Sequence, residues 1–139
     1  MKADDLTARL AATDLFGGLS KRALTRVAKA GREIKHVDGR EVIVEGHGAV
    51  GFHLITAGTA RVTTGTRVRR TLGVGDYFGE ISAIDGRPRS ASVESIENLA
   101  TFAIDPAVLN GLIDENPEFA RQLLKLLCAR LREAERPVD

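Results

Sequence analysis

Tryptophan is absent from this chain, and cysteine and methionine occur once each. A lone Cys128 excludes a disulfide framework and fits a reducing cytoplasm. Five Phe and one Tyr are too few to make a row of stacking platforms under single-stranded bases. Neither charge sign prevails: 20 Lys and Arg stand against 19 Asp and Glu, a formal net charge of +1. That balance argues against a broad basic face gripping a nucleic acid backbone. No apolar run approaches the roughly 18 residues of a membrane helix. The opening MKADDLTARLAATDLF carries Asp4 and Asp5 where a secretory signal has its apolar core. The expectation is a soluble cytoplasmic protein with no membrane or nucleic acid partner.

What the chain does hold suits one folded domain over 1–139: 43% hydrophobic and 28% charged residues. It divides into three zones. Residues 1–35 read as helical, with Leu6, Leu10 and Leu15, then a break at Phe16-Gly17-Gly18-Leu19 and a restart at Ser20, a good N-cap. Ala23, Leu24, Val27 and Ala28 give the second helix its apolar face. Residues 36–104 hold ten of the 14 Gly, all between Gly39 and Gly86, separated by short β-branched segments. These are 41–44, 52–55, 59–63 and 67–72, with closing strands from Ser90 to Ile104. Short strands with frequent turn signals predict an antiparallel β-barrel or jelly roll. Residues 105–136 turn helical again, started twice by Asp105-Pro106 and Asn116-Pro117. The fold class expected is α+β, mainly β: a barrel flanked by N-terminal helices and two C-terminal helices.

The stretch from Gly75 to Val93 stands apart. Strand periodicity gives way to a short Glu80-Ile81-Ser82-Ala83-Ile84 turn, which leaves backbone N–H groups from about Ile81 to Ala83 unpaired. Such a turn suits an anion, and Gly79 lets a ligand approach the backbone. Arg89, stiffened by Pro88, can clamp a phosphate bidentately. Glu80 beside an anion site is tolerable where it accepts a bond from a hydroxyl of the same ligand, and phosphate with hydroxyl describes a ribose phosphate.

Phe78-Gly79-Glu80-Ile81-Ser82 followed by Pro88-Arg89-Ser90-Ala91-Ser92-Val93 resembles the phosphate-binding cassette of cyclic nucleotide-binding domains. The resemblance spans about 13–135 and implies a barrel that binds cAMP first, cGMP as the alternative, with no metal and no enzymatic step. It implies that Glu80 accepts the ribose 2′-hydroxyl and Arg89 pairs with the phosphate. It implies a cage made by the amides of Ile81, Ser82 and Ala91 and the Ser90 hydroxyl, with Phe78 and Gly79 leading in. Val62 and Leu72 become the apolar wall for the purine, and Leu123 or Leu127 of the last helix its cover. Members that regulate transcription, kinases or channels carry an effector; this sequence shows a sensor, expected to act as a stand-alone module on an effector protein it does not name.

Competing readings stand beside these. The same fold could serve as a ligand-free interaction module, with Glu80 and Arg89 as a structural ion pair. His36, His47 and His53 raise a cupin-like metalloenzyme, but their spacing is poor and packing or solvated roles are the default. Arg67, Arg69 and Arg70 read as a solvated strand face, and Cys128 as inert core. In the last helix Ala120, Leu124, Leu127, Leu131 and Ala134 follow a 4-3 spacing beside a second stripe of Phe119, Leu123, Leu126 and Arg130. One stripe for the core and one for a partner helix would suit a homodimer; wide-face packing on the chain's own barrel explains the same residues and is the default.

Overall fold

The computed structural model describes residues 3–43, 51–87 and 91–135. They form two compact units, Met1–Ala28 with Gly111–Asp139, and Lys29–Asn110.

The first unit is helical. It contains α1 (Ala3–Ala11), most of α2 (Lys21–Ala30), the end of α4 (Pro106–Glu115) and α5 (Pro117–Ala134). Thr13 closes the turn after α1: its hydroxyl donates to the Leu10 carbonyl and accepts the Phe16 amide. Ser20 caps α2 as its position predicts, its Oγ accepting the Ala23 amide at 3.1 Å. Pro117 opens α5 at its first turn. The Asn116 side chain turns back to donate to the Leu112 carbonyl and does not cap the helix. Leu6, Leu10, Leu15, Phe16, Leu24, Val27, Phe119 and Leu123 are buried, with the Phe16 and Phe119 rings 5.6 Å apart.

The second unit is a six-stranded antiparallel sheet. Its strands are β1 (Arg32–Lys35), β2 (Glu41–Ile43), β3 (Phe52–Thr64), β4 (Arg67–Leu72), β5 (Tyr77–Phe78) and β6 (Ser92–Ile104), with α3 (Glu80–Asp85) inserted before β6. The order is β1-β6-β3-β4, with β2 on β6 and β5 on β3. The long strands β3 and β6 pair along most of their length and supply Ile55, Ala60, Val93 and Leu99 to the core, which Leu72 of β4 and Phe78 of β5 complete, with Val42 and Val62 packed against it. The α+β class is as expected, an antiparallel sheet with several helices, but the helices hold more of the described residues than the strands do, so the fold is mixed and not mainly β.

Three local expectations are corrected. The zone read as helical to 35 ends in a strand, because Arg32-Glu33-Ile34-Lys35 pairs with the apolar end of β6 despite holding a single large apolar residue. Segments 52–55 and 59–63 are one strand; Gly58, at φ +76, forms a bulge where a turn was expected. From Ser92 to Ile104 there is one strand and not several.

Candidate functional site

The site grows out of the β4–β5 connection. The Asp76 carboxylate accepts the Gly73 amide at 2.9 Å, and the Asp76 amide donates back to the Gly73 carbonyl. This turn is pinned to β3, since Gly75 N–H donates to the Ile55 carbonyl and Ile55 N–H to the Asp76 carbonyl. β5 is thereby set against His53 and Leu54. Phe78 is buried, its ring stacked on His53 at 4.9 Å and 7°. Its side chain belongs to the core, so its part in a site is to fix the backbone that leads into Gly79 and Glu80.

Gly79 has φ +87, a left-handed backbone that lets the chain leave the sheet and start α3 at once. Glu80 is 5% exposed at the first position of that helix. A carboxylate there lies at the positive end of the helix dipole. The amides of Ile81 and Ser82 have no carbonyl four residues back within the helix. The expected third free amide is corrected: Ala83 N–H donates to the Gly79 carbonyl at 3.2 Å, because the helical ladder begins there. Ala83 is buried, and its carbonyl accepts a bond from Asn110 Nδ2 at 2.8 Å. Ile81 and Ile84 face outward. The helix closes with the Asp85 carboxylate accepting the Arg87 amide.

Pro88, Arg89 and Ser90 lie outside the described residues, as do His47 and the Ser82 side chain. Ala91 is half-buried at the entry to β6. Of the expected purine wall, Leu72 is 2% exposed within the core cluster, whereas Val62 packs against that cluster and stays half-buried. In the β3–β4 register Ala60 faces Leu72 and Val62 faces Arg70, so Arg70 shares the inner side. Arg70 is half-buried, unlike Arg67 and Arg69, and has no hydrogen-bond or ion-pair partner among the described residues. The hairpin cluster read as one solvated face is thus split by the pleat, a fact hidden until the register is known. Leu123 is buried and Leu127 half-buried, both in the helical unit.

His36 and His53 do not bracket a metal. Both bond the same hydroxyl, Thr101 Oγ1, at 2.9 Å each. Among the described residues no group of three or more His, Cys, Asp or Glu is arranged to hold a metal ion, and no helix is long and apolar enough to cross a membrane. Cys128, expected in the core, is exposed. It lies five positions beyond buried Leu123, about 140° round the helix. On α5 Leu124 and Leu131 are exposed.

Comparison with known proteins gives a consistent result. The family model "Cyclic nucleotide-binding domain" matches residues 33–116. A CRP-like cAMP-activated global transcriptional regulator of Mycobacterium tuberculosis is 28% identical over 128 residues, covering 88% of this chain and 57% of that protein. A cGMP-dependent protein kinase of Toxoplasma gondii is 32% identical over 100 residues, 71% of this chain and 10% of the kinase. The regulatory domain of Toxoplasma gondii PKA, solved with cAMP, superposes with a TM-score of 0.72 at 25% identity, over 78% of this chain and 43% of that one. The chain spans little more than half of the first of these relatives and a tenth of the second.

Proposed function

Since the chain belongs to the cyclic nucleotide-binding domain family, we propose that it is a regulatory sensor that binds a 3′,5′-cyclic nucleotide in the cassette of its barrel unit and performs no chemical step of its own. One observation carries the reading: a nearly buried carboxylate, Glu80, held at the first turn of α3 directly behind left-handed Gly79, inside the matched stretch. A carboxylate so placed can accept a ribose hydroxyl while the amides beside it take phosphate oxygens. Arg89 supplies the counter-charge, with Ser90 and the Ala91 amide completing the cage. Val62 and Leu72 are the apolar wall.

Arg70 bears on which purine is taken. A guanidinium donates only, and it suits the paired O6 and N7 acceptors of guanine better than the N7 acceptor and N6 donor of adenine. cAMP is the first ligand to test, and Arg70 favours cGMP as the second reading. Downstream, the reading has α5 respond to the ligand and an effector read that response. The 4-3 seam with exposed Leu124 and Leu131 supports a second copy of the chain as one partner, which sedimentation with and without nucleotide tests.

Calorimetry decides the central point. Wild type should bind cAMP or cGMP, and Arg89→Ala should lose about 100-fold or more, from charge-assisted bonds of about 1.5–3 kcal/mol each. Heat from neither nucleotide, or an unchanged affinity in Arg89→Ala, overturns the reading.

A further inference from the structure

Thr101 is fully buried on β6, and its hydroxyl lies 2.9 Å from His36 Nε2 on one side and 2.9 Å from His53 Nδ1 on the other. A hydroxyl owns one proton. With both rings neutral, one ring nitrogen donates to Oγ1 while the other accepts from it, so the three groups form a chain with a direction. The two ends are unlike: His36 is half-buried, whereas His53 is 5% exposed. The inner end leads to the cassette. His53 lies flat on Phe78 and pairs with it across β3 and β5, and Phe78 is followed at once by Gly79 and Glu80.

We propose that His36, Thr101 and His53 are a proton-linked positioning relay for the nucleotide cassette, in which the neutral chain holds His53 on Phe78 and a further proton, entering at His36, releases that hold and weakens nucleotide binding. The inference rests on the cyclic nucleotide reading above. With His36 the accepting ring, a proton added to its Nε2 makes both inward ring nitrogens donors. The Thr101 oxygen must then accept twice and turn its own proton elsewhere, in a place without solvent.

The surrounding charges favour the neutral chain on the outer side. Burial disfavours a cation on His36, and the Arg40 charge acts in the same direction, so that its pKa lies below the ordinary 6.5. Lys35 adjoins His36 along β1, with Glu33 and Arg32 before it and Asp38 two residues after it. On the inner side Arg32 and Asp105 line, with His53, one cavity of about 420 Å³, so a cation and an anion are balanced there. β6 brings Thr101 and Ala103 to this region, and β5 brings Tyr77 and Phe78, of which Tyr77 alone is titratable. His36 is therefore the ring of the pair nearest solvent, where a proton enters first.

The test is nucleotide affinity across pH, measured for wild type, His36→Gln and Thr101→Val. Wild type should bind more weakly at about pH 5.5 than at about pH 7.5, by more than about twofold and less than about tenfold, the ceiling for one linked proton on a group whose pKa lies below the ordinary 6.5. In His36→Gln the two affinities should agree within about twofold. Thr101→Val should flatten the profile too, by cutting the chain in the middle. A flat wild-type profile, or an equal slope in His36→Gln, overturns the relay. Should neither cAMP nor cGMP bind at pH 7.5, the functional reading falls separately. The relay is then judged on ligand-free amide exchange at residues 78–83, normalised for the chemical rate. Faster opening at the acid pH in wild type but not in His36→Gln supports it, and identical behaviour in the two proteins rejects it.

Discussion

Glu80 and Arg70 ask different questions of a ligand, and substitution separates them. On the proposed reading the buried Glu80 carboxylate accepts the sugar hydroxyl, a bond to a charged acceptor worth about 1.5–3 kcal/mol. Glu80→Gln should therefore weaken cyclic nucleotide binding by about 10- to 100-fold. The 2′-deoxy nucleotide should bind wild type more weakly by a similar factor, yet lose little more in the variant. A deoxy penalty of the same size in both proteins would show that Glu80 does not touch the hydroxyl. Arg70 sits across from Val62, where a base rather than a sugar would lie. Arg70→Ala should leave the ribose and phosphate terms in place and change the ratio of cGMP to cAMP affinity, lowering it by about fivefold or more if the guanidinium meets guanine acceptors. Competition titration of both nucleotides on one sample reads that ratio directly, and an unmoved ratio removes Arg70 from base recognition.

At the scale of elements, the long β3 and β6 depend on a bulge that sequence periodicity hides. Gly58, at φ +76, sits against the carbonyls of Glu97 and Asn98, and a Cβ there would overlap both; Asn98 is itself left-handed at φ 50. Gly58→Ala should cost about 2–3 kcal/mol, combining backbone strain with displaced β6 backbone. Urea denaturation measures it, and a loss under about 0.5 kcal/mol would mean the bulge relaxes freely. The same bulge explains what can be read from residues alone. Gly58 between two β-branched runs has the chemistry of a turn, and only the pairing with β6 makes it an interruption within one strand. β1 leaves no periodic signal because Ile34 is its single large apolar residue, its stability coming from its partner strand. By contrast the first half of the cassette is legible. Gly79 before Glu80 and a turn too short to stand alone are local chemistry, and α3 starts where that chemistry says. The histidine pair is legible only as packing. Nothing in spacings of 17 and 48 residues, from His36 to His53 and from His53 to Thr101, announces that they meet at one hydroxyl.

For the whole molecule, proton and ligand linkage set stability. His36 has a folded pKa below its unfolded value, so the unfolded chain binds the proton more readily. Its contribution is therefore complete above about pH 6.5 and is lost as pH falls below that, until the folded protein takes the proton as well. Melting temperature should drop between about pH 7.5 and 5.5, and His36→Gln should drop less; a larger drop in the variant would reverse the assigned sign. Nucleotide acts in the opposite direction. At 100 times its Kd a ligand that binds only the folded state adds about 2.7 kcal/mol to the global unfolding free energy. That increment reaches every amide that exchanges by global unfolding, in whichever unit it lies, provided the two units unfold together. If they unfold separately, the increment stays with the residues of Lys29–Asn110 that hold the ligand. Exchange at β3 and at residues 117–135, with and without nucleotide, tells these cases apart. The sensor reading expects added protection in both, since a helix that gains nothing from ligand has nothing to report to an effector. Protection confined to the barrel unit would leave a nucleotide binder whose last helix takes no part in signalling.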